Sequence, residues 1–167
     1  MATEQMANAM PQVSADMGAT ITHYMGLLMD NQPWNLLIFM AIPVALAEAL
    51  TVSEFFVIFN RLYEGKLREL NKWIGTVLGV YFLGVFLYLM AFVVPSIQWR
   101  GIIDITAVGF YLSGVIFLFG ITLVELGVIG KGYTNEKRMQ LHFLLLAGFL
   151  IVAHIAMIFG MANPTLI

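Results

Sequence analysis

Glu48, Glu54, Glu125, His142 and His154 stand inside long apolar stretches of the chain. A carboxyl or imidazole group in a bilayer costs several kcal/mol unless it is paired, protonated or bound to a metal, so these positions mark where chemistry would be found. Carboxylates with an imidazole suit iron, manganese or zinc, and the same groups can pass protons. His154 is followed at three and seven positions by Met157 and Met161, which share its helical face. An imidazole among thioethers suits copper(I), and His154 alone is a candidate axial haem ligand. His142 lies twelve positions from His154 and points about 120° away from it, which does not suit a bis-histidine haem. The Glu-x-x-His spacing of di-iron bundles is absent as well. A plainer account also stands: the buried groups neutralise one another, or reach loop residues such as Tyr133 and Asn135, while the methionines fill core.

The elements that must position these groups are membrane helices. Of 167 residues, 60% are hydrophobic and 11% charged, with a mean hydropathy of +0.89. Four segments, about 35–60, 74–95, 103–129 and 141–161, are long enough to cross a hydrocarbon layer of roughly 30 Å. Pro33-Trp34 opens the first, Trp73 the second, and Trp99-Arg100-Gly101 fills the turn before the third, as interface residues do. The fold class is therefore an all-α integral membrane protein, a four-helix transmembrane bundle spanning residues 34–167. The chain has no cysteine, which excludes disulfides, iron–sulfur clusters and thiolate metal sites. With a net charge of −2 and no basic patch, nucleic acid is not a partner. A Gly-rich phosphate loop, a Ser-His-Asp set and an internal repeat are also missing. Gly109, Gly114, Gly120 and Gly127 form a small-residue seam on the third segment.

Basic residues orient the bundle. Arg61, Lys66, Arg68 and Lys72 follow the first span, and Lys131, Lys137 and Arg138 follow the third; only Arg100 falls at the other end. This predicts that both termini are periplasmic if the membrane is a bacterial inner membrane. The N-terminus has no basic stretch ahead of an apolar core, so no cleavable signal peptide is expected. At about 1.5 Å of rise per residue, Glu54, Glu125 and His142 fall within roughly 10 Å of the cytoplasmic boundary, on three different helices. They form one expected tier. Glu48, near the midplane, and His154, somewhat towards the outer face, form a second. Arg100 and Asp104 flank a tight outer turn where they can pair.

Residues 1–33 read as a separate periplasmic segment. Met6, Met10, Met17, Ile21, Met25 and Leu28 recur at helical spacings, interrupted by Pro11. A helix from about Ala15 to Met29 is expected to lie on the outer membrane surface or on a partner protein, with Met6, Met10, Met17 and Ile21 as the contact residues. Packing by adaptable methionine is weighed there against a copper(I)-binding role.

Several stretches carry a resemblance: Thr22-His23-Tyr24-Met25, Asn31-Gln32-Pro33-Trp34-Asn35-Leu36, Phe39 to Pro43, Ala47-Glu48, and Val152 to Met161. Across about residues 20–166 the chain is similar to an uncharacterised family of small bacterial four-helix inner-membrane proteins, some of them labelled permease. The resemblance implies topology rather than activity, and residues 1–19 depart from it. Three functions stay open. The first is an accessory subunit of a larger bacterial membrane oxidoreductase, with copper, iron or haem as candidate cofactors and other membrane subunits as partners. The second is a small proton-coupled permease, which four helices would require to be a homo-oligomer. The third is a stand-alone metal-binding bundle.

Overall fold

The structure, a computed structural model, describes residues 21–164. Within them lie a short helix α1 (His23–Met29) and four long helices, α2 (Trp34–Phe59), α3 (Lys66–Ser96), α4 (Ile102–Glu125) and α5 (Asn135–Gly160), each apolar and long enough to cross a membrane. They run up, down, up and down, and each packs against its neighbour in sequence, with α4 against α5 the most extensive interface and only slight contact between α2 and α5. Lys and Arg gather at one end, called here the basic end; α1 lies at the opposite end.

Two helices begin earlier than hydropathy predicts. The apolar run locates the hydrocarbon layer, whereas the helix continues into the headgroup zone until a cap stops it. Thus α3 starts at Lys66 after Gly65 (φ 104°). Helix α5 starts at Asn135 after Thr134, whose hydroxyl accepts the Lys137 N–H at 3.3 Å. At the other extreme α4 stops at Glu125, short of the expected 129, because the chain turns at Gly127 (φ 71°).

The core is a layer of Leu50, Leu78, Phe82, Leu118, Ile121, Leu146 and Phe149. The closest approach is between α3 and α4 at Gly79. A Cβ there would overlap the Thr122 hydroxyl and the Leu118 carbonyl. The glycine seam expected on the third span contributes less: Gly114 meets Phe82 and Phe149, Gly109 faces open space, and Gly127 lies beyond the helix.

Helices α2 and α3 each contain a π turn at the end away from the bases, Leu37–Ala41 and Leu89–Val93. Each lies two residues ahead of a proline, Pro43 and Pro95. Proline has no N–H to donate and its ring crowds the carbonyl four residues back, so the ladder widens there. The Phe39 carbonyl that Pro43 cannot serve accepts the Tyr111 hydroxyl at 2.7 Å. The neighbouring Ile38 carbonyl accepts the Tyr81 hydroxyl at 2.9 Å. The proline thereby becomes a point of attachment to α3 and α4.

Candidate functional site

At the basic end four helices bring Glu54, Arg68, Glu125 and His142 together. Glu54 shares the inward face of α2 with Leu50, Ser53 and Val57; Glu125 is the last residue of α4; His142 lies two turns into α5. Arg68 enters from the first turn of α3, the part of that helix lying outside the apolar run. His142 Nδ1 is 3.0 Å from Glu54 Oε1, and His142 Nε2 is 3.3 Å from Glu125 Oε1. Arg68 Nη2 donates to both Glu125 oxygens, at 2.8 and 2.9 Å. Arg68 Nη1 donates to Asn71 Oδ1 at 3.2 Å, Asn71 Nδ2 donates to Ser53 Oγ at 3.1 Å, and Ser53 donates to the Leu50 carbonyl at 2.9 Å. This polar chain crosses three helices.

The site is dry. His142 is 0% exposed, Glu54 1% and Glu125 3%. Two of its atoms, Glu54 Oε2 and His142 Nε2, have no hydrogen-bond partner. Nε2 faces Gly75, where an added Cβ would stand 3.0 Å away, so the glycine keeps that side of the ring clear. On the basic side, Glu125 and Arg68 form the floor of a cleft of about 520 Å³ that Tyr63, Lys66, Lys72 and Arg138 also line. On the opposite side the apolar core closes it.

The expected tier of Glu54, Glu125 and His142 is therefore assembled. Sequence reasoning placed Arg68 only as a topological marker, because α3 was expected to begin after it. A helix counted from Lys66 would have set Arg68 and Asn71 one turn apart on one face. As a metal site the trio has a defect. The two carboxylates lie on opposite edges of the imidazole, so one ion could touch only one ring nitrogen. Among the described residues no group of three or more His, Asp or Glu side chains has the arrangement of a metal shell.

The second expected tier is not assembled. Glu48 and His154 both lie on the outside of the bundle, and His154 Nδ1 turns back to the Leu150 carbonyl at 2.6 Å. The contact of Glu54 with His142 fixes equivalent levels on α2 and α5. From there Glu48 is six residues along and His154 twelve, so they differ in depth by about 9 Å. Met157 is 39% and Met161 72% exposed, and neither encloses a ligand space with His154. Depth was readable from sequence, but the direction round the helix was not.

At the opposite end a further cluster forms around Asp104, whose expected partner is Arg100: the Arg100 backbone N–H lies 3.4 Å from Asp104 Oδ2, and His23, which sequence did not single out, takes the closer place. Asp104, 0% exposed, accepts the His23 N–H through Oδ1 at 2.7 Å, and its Oδ2 lies 2.5 Å from His23 Nδ1. Arg100 Nη1 donates to the Ile21 carbonyl at 2.6 Å. The Thr22 hydroxyl donates to the Gly160 carbonyl at 2.6 Å while accepting the Met25 N–H at 3.3 Å as the cap of α1. Tyr24 and Leu28, one turn apart, are buried beneath α1, and burial pushes the Tyr24 phenol above its usual pKa. This corrects the expectation of a detached segment: α1 is docked on its own bundle, and Ile21 meets Arg100 of the same chain. Met6, Met10, Met17 and the start of the expected helix at Ala15 lie outside the described residues.

Fold and site together define a four-span helical membrane bundle with a buried acid–imidazole network open to one end. The chain belongs to a family of unknown function, DUF6803, which matches residues 19–167. No curated protein and no solved structure matches it.

Proposed function

We propose that this protein is an accessory subunit of a larger membrane assembly, and that it holds a proton taken from its basic end at the Glu54–His142 pair. The observation that carries this reading is the balance of charges in a buried site. Arg68 cancels Glu125, which it touches through both oxygens. Glu54, whose one ion-pair contact among the described residues is His142, then carries a buried negative charge with no Lys or Arg in contact when the imidazole is neutral, a costly state. One added proton removes it, whether it sits on the carboxyl or the imidazole, and the 3.0 Å contact lets it pass between them. The cleft beside Arg68 is the route from water. The count of basic residues favours a cytoplasmic basic end and periplasmic termini in a bacterial inner membrane.

The permease reading uses the same proton site but needs a polar route through the opposite half, and there Leu50, Phe82, Leu118 and Phe149 are packed. A one-sided site fits better with a subunit that hands its charge state to a neighbour. Infrared difference spectra of the purified protein between acid and alkaline buffer test the proton site. The expected result is a buried-carboxyl signal lost in Glu54→Gln, altered in His142→Gln and kept in Glu48→Gln. A signal indifferent to both Glu54→Gln and His142→Gln refutes the site. Gentle extraction from native membranes tests the assembly: migration only as a particle of this chain alone counts against the accessory role.

A further inference from the structure

The cleft at the basic end holds more positive charge than the acid–imidazole network uses. Lys66, Arg68, Lys72 and Arg138 line it together with the carboxylates Glu64, Glu69 and Glu125. Arg68 and Glu125 are committed to each other. Among the described residues, none of the other three cations forms an ion pair. Glu64 and Glu69 are exposed, and Glu64 accepts the Asn135 amide at 3.5 Å. Arg138 is the deepest of the three cations, half-buried in the first turn of α5. Its Nε is fully buried and has no hydrogen-bond partner. A charged donor left in that state is costly, so the guanidinium wants an acceptor that the chain does not supply. Helix α3 adds to the positive field: it opens at this cleft from Gly65, which provides no side-chain cap for the first N–H groups.

We infer that this cleft binds a phosphate group, with the Arg138 fork on two of its oxygens and Lys66 and Lys72 as point charges beside the others. An Arg fork matches a carboxylate or a phosphate. Three cations around one space favour phosphate, which offers more acceptor oxygens than a carboxylate, and the carboxylates already in the cleft leave Arg138 unpaired. The charges agree. With Arg68 and Glu125 cancelled, three cations stand against Glu64 and Glu69, and the one positive charge left over matches a phosphodiester. At about 520 Å³ the cleft has room for the phosphate and its substituent. The level is that of lipid headgroups: Trp73, 64% exposed, follows Lys72 directly, and tryptophan gathers at the membrane interface. A lipid headgroup and a phosphate ester arriving from water share this chemistry. Lys66, Lys72 and Arg138 form no ion pair with Glu54, Glu125 or His142, so the phosphate site stands or falls apart from the proton pair.

Binding is read on the full chain in an uncharged detergent, as the rise in melting temperature on titration with inorganic phosphate or with short-chain phosphatidylglycerol. A saturable rise is expected. Arg138→Gln should weaken the apparent affinity about tenfold or more, the effect of losing charge-assisted hydrogen bonds. Arg138→Lys keeps the charge without the fork and should recover only part of it. Lys137→Gln removes an exposed neighbouring cation that does not line the cleft and should leave binding unchanged. If Arg138→Gln does not fold, the exposed pair Lys66→Gln and Lys72→Gln carries the test, again with about tenfold weaker binding expected. A response to phosphatidylglycerol alone identifies the ligand as a lipid headgroup, and a response to inorganic phosphate identifies it as a soluble phosphate. No saturable response to either overturns the inference. So does an equal response to chloride at matched ionic strength, or an equal loss in Lys137→Gln. The Glu54–His142 infrared signal is unaffected by each of these outcomes.

Discussion

Replacing Arg68 with alanine withdraws the cation that reaches both oxygens of Glu125, a side chain 1% exposed. A buried ion pair broken from one side typically costs about 3–5 kcal/mol, because the remaining charge is left without water or partner. Arg68 is itself 15% exposed at the floor of an open cleft. Water can therefore reach part of the vacated space, and about 3 kcal/mol is the expected loss for Arg68→Ala. Glu125→Gln leaves Arg68 charged but free to turn into the cleft, with an expected loss of about 1–2 kcal/mol. The double variant buries no orphaned charge, so it should lose no more than about 2 kcal/mol and be more stable than Arg68→Ala alone. Unfolding in mixed micelles, followed by helical circular dichroism, gives all three values. If the double variant loses the sum of the single losses, the two groups act independently and the charge count behind the proposed proton site is wrong.

Two further outcomes test the packing. Gly79→Ala drives a methyl into the Leu118 carbonyl and should cost about 1–3 kcal/mol. Gly109→Ala meets open space and should be neutral or stabilising by up to about 1 kcal/mol, a contrast readable from the same unfolding curves. Asp104→Asn weakens the hold on α1 through both contacts with His23. A cysteine placed at Leu28, buried beneath α1, should then react with a water-soluble maleimide faster than in the Asp104 background; equal rates would mean that Thr22 and Tyr24 suffice to dock α1.

What the sequence made legible follows the physics of a membrane. Hydrophobic runs set the number of spans, and residue counting set depth, so Glu54, Glu125 and His142 could be assigned to one level before any fold was known. Counting along a helix says nothing of direction where apolar residues surround it, and Glu48 and His154 were paired by depth when they in fact face outward. Arg68 was obscured for another reason: helix α3 continues past the apolar layer, and its first turn reads as loop to any argument based on hydropathy. The His23–Asp104 contact joins positions 81 residues apart through a helix too short to announce a docking partner. The π turns were equally hidden, although Pro43 and Pro95 were in plain view.

Those π turns also make the bundle mechanically unequal along its length. Both lie on adjacent helices at the end that carries α1, where Phe39 and Leu89 share one packed cluster with Tyr24 and Leu28. There α2 and α3 have widened ladders, and that of α2 is held partly by tyrosine hydroxyls from α3 and α4. The halves nearer the basic end are uninterrupted α-helix, stiff rods around the acid–imidazole network. A push or pull applied at α1 therefore meets two kinds of support: the widened turns of α2 and α3, and the continuous helices α4 and α5, to which His23 and Thr22 fasten it.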